Sequence, residues 1–122
     1  MTLYAIAPVA APRMTQRDRW KKRNVVLRYF AFRDEVRLAK IILPIPCKIT
    51  FHIEMPASWS KRKRLAMDGQ PHTVRPDRDN YDKALMDSLF EDDAHVWSAW
   101  TEKRWAVVPA IEVERLSDIG DD

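Results

Sequence analysis

Between Pro46 and Pro56 the chain alternates with a period of two, with Ile49, Phe51, Ile53 and Met55 on one side and Thr50, His52 and Glu54 on the other. Successive side chains of a strand point to opposite faces, so Lys48 to Met55 is predicted to be a half-buried β-strand, and a sheet must exist to hold it. On the polar face His52 and Glu54 leave two readings open, a solvated surface or a catalytic or ligand role. Phe30 to Ile42 instead has helical spacing, with Phe32, Val36, Ala39 and Leu43 on one face, and Pro44 and Pro46 stop it. Asp34 and Glu35 near its start and Arg37 and Lys40 near its end suit the helix dipole. Leu3 to Ala7 reads as a first strand and Asn24 to Tyr29 as extended. Val96 to Val108 and Ile111 to Leu116 read as two antiparallel strands. A length of 122 residues fits one domain. The expected fold is α/β, a single domain over residues 1–122, with a mixed sheet of about four strands and helices packed mainly on one face.

Composition removes several function classes. With 46% hydrophobic and 32% charged residues the chain reads as globular rather than disordered. No apolar run approaches the roughly 20 residues of a membrane span. The first residues lack a basic start before their apolar part, so neither a membrane segment nor a signal peptide is expected. Cys47 is the only cysteine, which excludes an intrachain disulfide and a thiolate zinc cage and fits a reducing, cytoplasmic setting. Gly69 and Gly120 are far apart, so there is no glycine-rich phosphate loop, and no nucleotide cofactor is expected.

The net charge of +3 matters because of its clustering. Arg13, Arg17, Arg19, Lys21, Lys22, Arg23 and Arg28 surround Trp20, and Lys61, Arg62, Lys63 and Arg64 run consecutively through a stretch without periodicity. A basic segment enclosing an aromatic suits a phosphate backbone and an unstacked base. A solvated loop with Trp20 in the core is the other reading. His72 has no partner near it in sequence. Trp97, Trp100 and Trp105 read as core or subunit-interface anchors rather than base-stacking platforms.

Against this basic background, Arg75 to Val96 is dense in acid. Asp77 and Asp79 are two residues apart, and in extended geometry both carboxylates face one cation site. Asp79 or Asn80 then caps a helix running to about Leu89, with Tyr81, Ala84, Leu85 and Leu89 buried and Asp79, Lys83 and Asp87 recurring at spacing four. Asp79 and Asp82 suit a helix N-terminus, whereas Asp77, Asp92 and Asp93 are not explained that way. Magnesium takes oxygen ligands and keeps several waters, so carboxylates from different segments are what it requires. The pattern suggests a metal site within a surface that attracts phosphates.

P-D-R-D-N-Y-D-K, followed by Asp-Asp-Ala-His-Val and then Glu-Lys-Arg, resembles the RusA family of Holliday junction resolvases. That family's signature is D-x-D-N-x-x-K, a D-D-x-Q-V-like segment and a later strand lysine. His95 stands where the family often has glutamine, and the link from Asp87 to Asp92 is shorter. The resemblance implies that Asp77, Asp79 and Asp93 are catalytic metal ligands, with Asp92 as a further ligand or a supporting carboxylate. Lys83 matches the essential lysine, Asn80 the neighbouring asparagine and Lys103 the strand lysine. DNA contacts are expected from Arg13, Arg17, Arg19, Lys21, Lys22, Arg23, Lys61, Arg62, Lys63, Arg64, Arg75 and Lys103. The implied activity is Mg²⁺-dependent paired nicking of four-way DNA by a homodimer of phage or prophage type, in recombination and repair. Two alternatives stand beside it. One is a DNA- or junction-binding protein without catalysis. The other is a metal-dependent phosphohydrolase of small substrates, against which the basic clusters argue.

Overall fold

The alternating segment is a strand, and it lies inside the sheet rather than at its edge. The computed structural model describes residues 1–12, 24–90 and 96–116. In chain order the elements are β1 (Thr2–Tyr4), α1 (Asn24–Ala39), β2 (Cys47–Glu54), α2 (Lys61–Met67), α3 (Arg78–Leu89), β3 (Ala99–Ala106) and β4 (Ala110–Arg115). The four strands form one sheet in the order β1-β4-β2-β3. The β2–β3 pair is parallel and the other two pairs are antiparallel. This is the expected α/β fold with a mixed sheet. The parallel pair requires a crossover connection, which α2 and α3 supply. No helix among the described residues is long and apolar enough to cross a membrane.

Register fixes the two faces of the sheet. Ile49 pairs with Val113 and Phe51 with Ile111, so these four side chains share a face with Cys47 and Ile53. Against that face pack Tyr29, Phe32 and Val36 of α1 and Tyr81, Ala84, Leu85 and Met86 of α3. The opposite face carries Lys48 paired with Glu102 at 3.6 Å, His52 with Glu112 at 3.1 Å and Arg104 with Glu102 at 3.1 Å. Such partly exposed pairs stabilise weakly, and this face is held mainly by the strand ladder. His52 is thus tied to a neighbouring strand, and Glu54 is exposed.

Helices α1 and α3 lie side by side and run parallel. Near their C-terminal ends Arg37 Nε donates to the Ser88 carbonyl at 3.0 Å. At their other ends Val25 and Arg28 share a cleft with Pro76 and Tyr81. The outer edge of β3 is covered by the segment that follows α2. Gly69 N donates to Trp105 O at 2.8 Å, Trp105 N to Gln70 O at 2.9 Å and His72 N to Lys103 O at 3.0 Å. Gly69 sits at φ +81°, a conformation that side chains resist and glycine adopts freely. An otherwise open edge is thereby closed.

Several boundaries differ from the sequence expectation. Asn24 to Tyr29 is helical, because Val26 and Tyr29 continue the buried stripe of Phe32 and Val36, and packing overrides their β propensity. The helix ends at Ala39, which is exposed, and Lys40 closes it at φ 52°. β1 is shorter than Leu3 to Ala7. Residues 61–67 form α2, capped by Ser60 Oγ, which accepts from Lys63 N at 3.1 Å. No residue of α2 is buried, so it has no apolar stripe to read. β3 and β4 run in opposite directions, yet they are not neighbours. β2 lies between them and takes a partner on each edge.

Leu85 is fully buried in the core cluster. Leu85→Ala is expected to cost about 2–5 kcal/mol in urea denaturation, and a loss well below that range would show that α3 does not anchor the sheet.

Candidate functional site

The acid pair sits where a rigid loop enters α3. Asp77 is the N-cap residue, at φ −67° and ψ 154°, and its side chain makes no capping hydrogen bond. The sequence had suggested Asp79 or Asn80 for this position. Instead Asn80 N donates to the backbone carbonyl of Asp77 at 3.1 Å, and Asp79 is exposed in the first helical turn. The two carboxylates are therefore related through the start of a helix rather than by strand alternation. Because the Asp77 carboxylate is not spent on capping, it is left for another cation or donor. Hard oxygen donors of this kind match magnesium.

Asp92 and Asp93 lie outside the described residues, as do Arg13, Arg17, Arg19, Trp20, Lys21, Lys22, Arg23 and His95. Among the described residues no group of three or more His, Cys, Asp or Glu side chains could hold a metal ion. What they supply is the pair Asp77 and Asp79.

Lys83 lies one turn beyond Asp79, and its Nζ donates to Asp87 Oδ2 at 2.9 Å. Asp87 also faces Tyr29, whose phenol is pushed up first by burial and then by that carboxylate. Asp82, read from the sequence as a helix-terminus charge, has a different place. Its Oδ2 accepts from Thr101 Oγ1 at 3.0 Å, and its Oδ1 is buried without a partner. Burial raises the Asp82 carboxyl, and nearby Asp79 adds to this, while Thr101 and Arg78 oppose it. Asp82 thus joins α3 to β3 directly beneath the acid pair.

Lys103, expected to contact DNA, is half-buried and lies against the loop before Asp77. Its Nζ donates to the carbonyls of Val74 at 2.6 Å and Pro76 at 2.7 Å. Burial pulls the Lys103 ammonium below its ordinary range, and Asp77 acts in the opposite sense. The ammonium is a staple on the loop that delivers Asp77. A signal for this existed in the sequence, since Lys103 falls between Thr101 and Trp105 on the inward face of an alternating strand.

Around this loop the cations and aromatics divide. Arg75 is exposed, and Lys61, Arg62, Lys63 and Arg64 ride on α2, with Lys63 Nζ 4.2 Å from the Trp59 ring centre and Arg64 donating to Pro56 O at 3.2 Å. Trp59 meets Trp105 at 4.7 Å between ring centres, and His72 meets Trp105 at 4.3 Å. Trp105 is core, as expected, whereas Trp97 and Trp100 are exposed. His72 is 4% exposed and its Nδ1 has no hydrogen-bond partner. Burial, and then Lys103, push this imidazole below its ordinary value.

Over residues 8–115 the sequence matches the family described as Endodeoxyribonuclease RusA. The chain belongs to the RusA family. No curated protein and no solved structure gives a match. Family membership makes DNA cleavage the activity against which the site must be read, and RusA endodeoxyribonucleases act on a polyanion that the cations of α2 and Arg75 suit.

Lys103→Met, which removes both hydrogen bonds to the loop, is expected to cost roughly 1–3 kcal/mol and to speed amide exchange over residues 74–79; unchanged exchange there would contradict the staple. A histidine held neutral by the fold contributes stability above its unfolded value of about 6.5 and loses it as pH falls through the lower folded value. The thermal midpoint should therefore drop as pH falls below about 6.5, and it should drop less in His72→Gln.

Proposed function

We propose that this RusA-family chain is a Mg²⁺-dependent endodeoxyribonuclease that resolves four-way DNA junctions by paired nicks, acting as a homodimer in the cytoplasm of a bacterial host or phage-infected cell. The observation that carries the reading is the family match together with an Asp77 carboxylate left free of its helix beside Asp79. Asp77, Asp79 and Asp93 would hold the cation, with Asp92 as a further ligand. When bound, magnesium supplies a water acidic enough to serve as hydroxide and a polarised phosphate.

The chain's own residues do the rest. Lys103 keeps the loop before Asp77 fixed, so the carboxylates hold their places while the substrate binds. Lys83 releases Asp87 and offers its ammonium to charge developing on the phosphate or leaving oxygen. Arg75, the α2 cations and the basic segment from Arg13 to Arg23 grip phosphates on the arms of the junction, a contact that reads shape rather than base sequence. A four-way junction has approximate two-fold symmetry, so a C2 dimer presents one site to each of two opposed strands.

A junction-binding protein without catalysis is the competing reading, since Asp77 at an N-cap and Lys83 in an intrahelical pair also fit it. Cleavage of a synthetic four-way junction separates the two. Wild type should cut only with Mg²⁺, and Asp79→Asn should cut at least about 100-fold more slowly while still binding. Junction binding that never leads to cutting would favour the alternative. Magnesium should also raise the thermal midpoint of wild type, and of Asp77→Asn/Asp79→Asn much less, because it binds only the folded site.

A further inference from the structure

A cavity of about 380 Å³ opens beside the acid pair, at the C-terminal ends of β2 and β3, and nothing in the nuclease chemistry above uses it. That volume lies within the usual range of small-molecule pockets, roughly 300–1,000 Å³. Its buried lining is formed by the aromatic His72, Tyr81 and Trp105 together with Ile53 and Met55. Its rim carries two exposed cations, Arg28 and Arg75, and one exposed carboxylate, Glu54, so two positive charges stand against one negative. Pro76, the residue before Asp77, forms part of its wall. His72 Nδ1 is buried behind this wall without a hydrogen-bond partner.

We propose that this cavity receives one unstacked nucleotide of the branched DNA, adjacent to the phosphate being cut. The inference rests on the nuclease reading and adds a binding site to it. Aromatic faces bind any base by stacking, and cations at the mouth hold the flanking phosphates. Base pairs at a branch point are already weakened, so removing a base from the stack there costs less than it does within a duplex. A nucleotide anchored one residue from Asp77 places the neighbouring phosphodiester against the carboxylate pair, which is where hydrolysis requires it. A small neutral substrate would gain nothing from Arg28 and Arg75.

The test uses four-way junctions carrying 2-aminopurine at successive positions around the branch, with the whole protein and no divalent metal. Emission should rise severalfold at one position next to the cleavage site and stay unchanged elsewhere. Ala57 is exposed on the rim, so Ala57→Trp closes the mouth without touching the core, and Ala57→Ser is its control. Ala57→Trp should abolish the emission change and slow cleavage about 100-fold by misplacing the phosphate. Junction affinity should stay near wild type, because phosphate contacts dominate it. Binding without an emission change at any position would overturn the proposal, as would Ala57→Trp cutting like wild type. Equal binding of free 2-aminopurine deoxynucleotide would assign the cavity to mononucleotides instead and overturn it too. The fluorescence needs no cleavage, so extrusion without cutting would remove the nuclease reading alone.

Discussion

Lys103 Nζ donates to the carbonyls of Val74 and Pro76, and the strand that carries it also accepts from His72 N through its own backbone. A partly desolvated ammonium group gains from charge-assisted partners, and two carbonyls with Asp77 nearby supply them. The position of the acid pair follows from this. Without the staple the segment from Gly69 to Pro76 would be joined to the sheet by contacts at Gly69, Gln70 and His72, upstream of the turn into α3. With it, the strand ladder, the loop and the first turn of α3 become one rigid unit. The same segment covers the edge of β3, so a single stretch both finishes the sheet and delivers Asp77.

Beneath that unit lies a contact that works less favourably for stability. Asp82 joins α3 to β3 through Thr101, but one of its oxygens is buried and unpaired. An unsatisfied buried oxygen is costly, and natural chains retain few of them. Packing of α3 on β3 would be served as well by an apolar residue here, so the carboxylate is a departure from what the core alone requires.

The architecture was legible where burial is one-sided. Ile49, Phe51 and Ile53 announced β2 because one face of that strand meets helices and the other does not. The opposite held for α2, whose residues bury nothing and so leave no pattern, although Ser60 at its head was a usable capping signal. Val26 and Tyr29 look like strand formers in isolation, and only their contacts with α3 and the sheet make them helical. Alternation in β3 and β4 gave their faces but could not give their neighbours, because period-two patterning says nothing about which strand lies alongside. Residue type and spacing picked out Asp77 and Asp79. Alternation put Lys103 on the inward face of its strand, but its partners, the carbonyls of Val74 and Pro76, leave no side-chain pattern from which they could be read.

The parallel arrangement of α1 and α3 carries an electrostatic consequence. Each helix has about half a positive charge at its N-terminus, and running side by side in the same direction brings two such poles to the end that carries Asp77 and Asp79. Antiparallel helices would have cancelled them. Paired carboxylates repel any anion brought near them, and these two poles lessen that repulsion. The two helix N-termini thus make this end of the molecule more positive and offset part of the negative charge of Asp77 and Asp79.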